Sequence, residues 1–210
     1  MRKSTLSHAE AGTVILICFG LFMLFSFEAV AADFPEVRFS DASNAGLVGL
    51  ELVLGACALI YLQLRGFDIR SLYPVPTLKD SLTGFAFFVL SWLVAVVAML
   101  LFHTPGRTEA MEVSSQGLFA LSTVVLALVN GTYEEVFLLG VLVRGLRGFG
   151  LSLAIGLPLL VRMLYHSYQS PLGMVAVGAV GLVLSLAYVA TGRLWPPVLA
   201  HILLDLAAML

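Results

Sequence analysis

Long apolar runs separated by short polar breaks dominate the chain, and seven stand out: residues 11–31, 45–64, 81–102, 116–143, 151–167, 172–191 and 194–210. A helix needs about 20 apolar residues to cross the hydrocarbon core of a bilayer, and the first three runs meet that length most clearly. The fifth and seventh are short for the task. No run shows the alternating ten-residue pattern of a barrel strand, so all seven are predicted to be helices. The breaks at 33–44, 65–80 (with Pro74 and Pro76) and 104–115 read as loops, none long enough for a second globular unit. The fold class expected is all-α, a polytopic transmembrane helical bundle of about seven spans.

Composition sharpens this picture. With 60% of its 210 residues hydrophobic and 11% charged, the chain carries more apolar surface than a soluble domain of this size can bury. The lipid bilayer is therefore the first partner expected. Eleven basic against 13 acidic residues, with no basic run, leave nothing to neutralise a phosphate backbone, so nucleic acid is excluded as a partner. Cys18 and Cys57 both fall inside apolar runs and read as small buried hydrophobes, not as a disulfide framework.

Lysine and arginine set the orientation. With the N-terminus in the cytoplasm, Arg2, Lys3, Arg65, Arg70, Lys79, Arg144, Arg147 and Arg193 lie inside, against only Arg38 and Arg107 outside. One helix more or fewer would destroy this asymmetry, so it supports both the seven spans and a C-terminus outside. The location expected is a membrane such as the bacterial inner membrane. The first run also fits a signal peptide, with Arg2 and Lys3, an apolar stretch at 13–27, then Ala29-Val30-Ala31. It reaches spanning length once residues 29–32 are included, which favours an uncleaved first helix.

Ionisable groups at bilayer depth cost about 2.5 to 3.5 kcal/mol each on insertion scales, so those present need a reason. Glu28 and Glu51 are isolated and read as structural, neutral or near an interface. Glu134, Glu135, Arg162, His166, His201 and Asp205 occupy three late runs and are expected to meet one another. Arg162 and His166 are four apart, as are His201 and Asp205, so each pair shares a helix face. Glu134 and Glu135 point about 100° apart, which predicts one acting and one supporting carboxylate. At about 1.5 Å per residue, Glu134 lies about 15 Å from Arg144, whereas His166 lies about 24 Å from Gly150. The two agree in depth only if the segment around Gly156 and Pro158 is irregular or starts inside the membrane.

A carboxylate beside an imidazole can hold and deprotonate a water, while a second imidazole donates to the oxyanion formed when that water attacks a carbonyl. No Gly-x-Ser-x-Gly elbow and no nearby cysteine offers a covalent nucleophile. Zinc held by His166, His201 and Glu134 is the competing arrangement, although the HExxH spacing is absent. A buried proton relay or polar glue between helices is the bland alternative.

Glu134-Glu135 followed by apolar residues and Gly140, His166 late in the next run, and Leu194-Trp195-Pro196-Pro197-Val198-Leu199-Ala200-His201 with Asp205 resemble the CPBP family. These are the CAAX-protease and bacteriocin-processing intramembrane endopeptidases, also called Abi-family or type II CAAX prenyl proteases. The resemblance covers roughly residues 131–205 and divides the chain into three N-terminal transmembrane helices (1–115) and a CPBP-like catalytic core (116–210). It implies that Glu134 and His166 activate water and that His201 and Asp205 stabilise the oxyanion, with Glu135 accessory. It also implies a membrane-tethered protein or peptide as substrate.

Two motif positions depart from that pattern. Leu139 stands where the family has an arginine, and Arg162 where it has a phenylalanine. Arg162 is therefore expected to replace the missing partner of Glu135, since an unpaired intramembrane guanidinium is costly and a carboxylate is its natural acceptor. Asp205 is either protonated, so that it can donate, or ionised and orienting His201, the reading preferred. The activity implied is an intramembrane endopeptidase with a cavity opening toward the cytoplasm. A non-catalytic scaffold or immunity protein retaining the fold is the alternative, and a small proton-coupled transporter ranks last.

Overall fold

A computed structural model describes residues 3–35, 37–102, 113–115 and 120–209. Helix α1 (His8–Ala31) starts three residues before the apolar run because Ser7 and Glu10 form a capping box, each side chain accepting from the other's backbone N–H. Helix α2 (Asp41–Leu64) likewise starts early, on a reciprocal cap between Ser40 and Ser43. Helix α3 (Leu78–Phe102) follows a short 3-10 turn at Ile69–Leu72. Two three-residue strands, β1 (Val37–Phe39) and β2 (Val113–Ser115), pair in parallel in loops that precede α2 and α4. Arg2, Arg107, residues 116–119 and Leu210 fall outside the described residues.

Helix α4 (Ala120–Glu135) does not stop at the second glutamate. It runs on as a π-helix over Val136–Val143, then as α5 (Arg144–Leu146) and a 3-10 turn ending at Phe149. After Gly150, whose φ of 97° suits only glycine, the chain reverses into α6 (Leu151–Tyr165). A 3-10 turn (Ser167–Gln169) leads to α7 (Ser170–Thr191), which ends on left-handed Gly192. Helix α8 (Trp195–Met209) begins with Pro196 and Pro197 in its first turn, where their missing N–H groups cost nothing.

Among the described residues, five segments are long and apolar enough to cross a membrane: His8–Ala31, Asp41–Leu64, Leu78–Phe102, Leu121–Phe149 and Ser167–Thr191. The two short runs give the short apolar helices Leu151–Tyr165 and Trp195–Met209. The chain is thus the all-α bundle expected. In Leu121–Phe149, 61% of the most apolar window is buried, against 11% in Leu78–Phe102, so α4 is the central post and α3 a lipid-facing wall. Around that post α2 and α8 pack on α4, α6 and the π-helix meet, and α1 packs on α6. Cys18 is buried in this core as expected, but Cys57 faces outward, because an apolar run in a membrane helix need not turn any one residue inward.

Basic residues gather at one end of the bundle. Lys3 and Arg65 both bond Glu10 Oε1, at 2.6 and 2.9 Å; Arg144 bonds Ser71; and Arg193 bonds Asp80 at 2.6 Å. Arg144, Arg147 and Arg193 line one cleft there with Tyr73 and Trp195.

Candidate active site

The six late ionisable residues converge between α4, α6 and α8. Glu135 is fully buried, and its Oε1 accepts from the Arg162 guanidinium and, at 2.6 Å, from His201 Nδ1. The contact between Arg162 and Glu135 is thus present. Leu139 packs in the apolar core with Val143, Leu184 and Val198, where a guanidinium would have no place. Arg162 fits because α7 offers Gly181 opposite it: a Cβ at that position would lie 2.8 Å from Arg162 Cδ.

Glu134, one residue earlier, points elsewhere. Its Oε2 accepts from the Tyr165 hydroxyl and lies 3.8 Å from His201 Nε2. The division of the two glutamates follows from the helical angle between neighbours: one lines the cavity and the other locks an imidazole. His201 Nε2 also lies 3.4 Å from Asp205 Oδ1, while Asp205 Oδ2 accepts from the Asn130 amide at 2.8 Å. The hydrogen bond that orients the His201 ring therefore comes from Glu135 on Nδ1. Asp205, preferred for that task from the helical spacing, faces the opposite nitrogen.

His166 caps α6, and its Nδ1 lies 3.1 Å from the Arg162 carbonyl. A carbonyl only accepts, so Nδ1 carries the proton and Nε2 keeps its lone pair when the ring is neutral. The ring is seated between Tyr165 and Tyr168, with centroids 4.5 and 6.1 Å away. The depth mismatch has a simple resolution. Helix α4 continues past Arg144 to the reversal at Gly150, and Glu134 and His166 each lie sixteen residues from that glycine. Helix α6 is regular throughout despite Pro158, so no irregular entry is needed.

A cavity of about 430 Å³ joins Glu134, His166 and Asp205. Its apolar wall includes Phe19, Phe22, Tyr133 and Tyr165, and it reaches Phe25 and Ala29 on α1 and Ala208 and Met209 on α8. These residues belong to the ends of α1 and α8 remote from Lys3, Arg65 and Arg193. The cavity expected on the basic, cytoplasmic side thus lies at the opposite end of the bundle.

Glu51, read from sequence as isolated, also lines the cavity, buried and with Oε2 unpartnered among the described residues. Sequence reasoning passed over Tyr165, Asn130 and Glu51. Asn130 had a usable signal, since it precedes Glu134 by four residues and so shares its helix face. Tyr165 adjoins His166 but resembles any core aromatic, and Glu51 has no charged neighbour along its helix.

Glu134, Glu135 and His201 offer donor atoms within 4.8 Å of one another, a set chemically suited to a divalent cation, and Glu135 Oε2 is buried without a partner among the described residues. His166 is not part of that group, although the sequence grouped it with His201 and Glu134 as zinc ligands. No curated protein and no solved structure matches the chain. Residues 116–207 match the family model described as type II CAAX prenyl endopeptidase Rce1-like. Over those residues, a little under half of its length, this integral membrane protein is similar to the Rce1-like type II CAAX prenyl endopeptidases, a family of proteases.

Proposed function

We propose that the chain is an intramembrane endopeptidase that hydrolyses a peptide bond of a membrane-tethered protein or peptide with a water activated by Glu134 and His166. The observation that carries this reading is the division of labour around the two imidazoles. His166 turns Nε2 toward reaction with its proton fixed on Nδ1, whereas His201 is fixed through Nδ1 by a buried carboxylate that a guanidinium holds in place. Both rings carry a proton on Nδ1, but His201 Nε2 also faces the carboxylates of Asp205 and Glu134, so in this reading His201 is the imidazolium that donates and His166 the neutral ring that accepts.

In this mechanism Glu134 binds the water and takes its proton, with the Tyr165 hydroxyl holding the carboxylate in position. The hydroxide formed attacks the carbonyl carbon. The oxyanion receives a hydrogen bond from His201 Nε2–H, and the proton passes through Glu134 or His166 to the leaving amine as the C–N bond breaks. Glu135 and Arg162 act through His201. Asp205, held by Asn130, polarises the same ring nitrogen before the oxyanion forms. A zinc ion held by Glu134 and His201 Nε2, with Glu135 behind them, would supply Lewis acidity and a more acidic bound water. The division into three N-terminal helices and a catalytic core at 116–210 belongs to this reading, with α1 and α2 completing the cavity wall through Phe19, Phe22 and Glu51. The scaffold alternative draws on the missing motif arginine; the contact of Arg162 with Glu135 supports the protease reading instead.

The test compares N- and C-termini of membrane proteins by mass spectrometry between cells carrying wild type, Glu134→Ala or His166→Ala at matched expression. Loss of the same products in both variants is expected. Products that persist in both, or none that depend on either residue, would sink the protease reading.

A further inference from the structure

The basic end of the bundle and the mouth of the cavity lie at opposite poles. Lys3 precedes α1, Arg65 follows α2, Arg70 and Lys79 lie in and just after the segment between α2 and α3, Arg144 and Arg147 end the α4 post, and Arg193 lies between α7 and α8. Hydrogen bonds tie this pole together: Lys3 and Arg65 to Glu10, Arg144 to Ser71, Arg147 to the Val189 carbonyl, Arg193 to Asp80. The cavity is lined instead by the second half of α1 (Phe25, Ala29), the first half of α2 (Leu47, Glu51), and the C-terminal ends of α6 and α8 (His166, Ala208). Its ionisable lining is acidic or imidazole, and it includes no lysine or arginine among the described residues.

From this opposition we infer that the cavity admits its substrate from the extracytoplasmic side of the membrane. Basic flanks stay in the cytoplasm, which puts the Lys3–Arg193 pole inside and the Phe25–Ala208 mouth outside. Helix length supports the same geometry. Helix α6 has 15 residues, about 22 Å at 1.5 Å per residue, so His166 at its far end stops short of the opposite surface of a hydrocarbon core of about 30 Å. The reacting groups thus lie below the outer surface, within reach of a polypeptide whose membrane anchor ends there. The aromatic wall and the carboxylates select for an apolar, uncharged or basic segment, and disfavour an acidic one. The substrate class is accordingly a membrane-anchored polypeptide cut on its extracytoplasmic flank. This rests on the protease reading for the chemistry, though not for the side.

The experiment labels single cysteines with a membrane-impermeant maleimide in right-side-out and inside-out membrane vesicles, using a chain with Cys57→Ala. Cys18 is buried, so it is not reached. Exposed positions at the cavity mouth (Ala208→Cys, Glu28→Cys) are expected to react in right-side-out vesicles. Exposed positions at the basic pole (Gly148→Cys, Gln63→Cys) are expected to react only in inside-out ones. Two positions per pole guard against a variant that fails to insert. Labelling of the mouth from the cytoplasmic side, or of both poles from one side, overturns the inference whether or not the protein cleaves anything. If the labelling holds and no terminus depends on Glu134, the protease reading falls and the sidedness stands. Glu134-dependent cuts that map to cytoplasmic flanks keep the protease reading and overturn this one.

Discussion

Arg162 and Glu135 bury a full positive and a full negative charge in a place where neither could stay alone. Removing one partner of a buried pair costs about 3–5 kcal/mol because the other is left uncompensated. Glu135 has a second duty, since the same oxygen accepts from Arg162 and from His201 Nδ1. These duties separate in a charge swap. The single variants Glu135→Arg and Arg162→Glu are expected to lose both thermal stability in detergent and cleavage. The double variant is expected to recover much of the stability but none of the cleavage, because the guanidinium now beside His201 cannot accept its proton. A swap that restored cleavage in full would show that Glu135 does no more than balance a charge. The pairing was legible only through the family resemblance, against whose motif Leu139 lacks an arginine and Arg162 supplies one. The bond from Glu135 to His201 was not, because it joins residues 66 positions apart on helices whose mutual rotation no local pattern encodes.

At the scale of elements, α4 and α8 hold the two halves of the site, and Gly131 sets their spacing. A Cβ there would lie 2.9 Å from Ile202 Cγ1 and 3.0 Å from Ile202 N, the residue after His201. Backbone nitrogen cannot swing aside as a side-chain tip can, so Gly131→Ala should push α8 outward. Overpacking of this kind costs about 1–3 kcal/mol. It should also loosen the contact between His201 and Glu135. The variant is expected to melt earlier and to cut more slowly, whereas Gly156→Ala, whose Cβ meets nothing within 4 Å, should leave both properties unchanged. Equal behaviour of the two variants would mean that the helix spacing at Gly131 is not critical. Helices were the most legible part of the sequence, since a membrane span must satisfy its own backbone and announces itself by length. Their exact starts were less so, because the polar caps Ser7 and Ser40 precede the apolar runs. The π register of Val136–Val143, inside the fourth run, was hidden for a different reason: hydropathy does not distinguish one helical hydrogen-bond register from another. The extension past Arg144 to the reversal at Gly150, beyond the end of that run, is what brings Glu134 and His166 to one depth.

For the molecule as a whole, the apolar helices among the described residues are not matched in length. Helices α1, α2 and α3 have 24, 24 and 25 residues, or about 36 Å each, while α6 and α8 have 15 each, about 22 Å. A bilayer fitted to the long helices leaves the ends of the short ones submerged, and those ends are where His166, Asp205 and Met209 line the cavity. Water and the substrate backbone must reach that depth for hydrolysis. The outward face of α3, with Leu82, Phe85, Trp92, Val97 and Leu101 exposed, meets lipid directly, so the bundle feels bilayer thickness along its full height. Mismatch costs only fractions of a kcal/mol per Å, yet it acts on the local thickness over the mouth, where a few Å decide whether the cavity is wet. Reconstitution into vesicles of phosphatidylcholines with progressively longer acyl chains is therefore expected to lower the rate of Glu134-dependent cleavage. Thermal stability should change little over the same series, because the long helices accommodate thickness by tilting. A rate that rises with chain length would mean that the short helices do not thin the bilayer above the site, and that the substrate enters sideways from the hydrocarbon core instead.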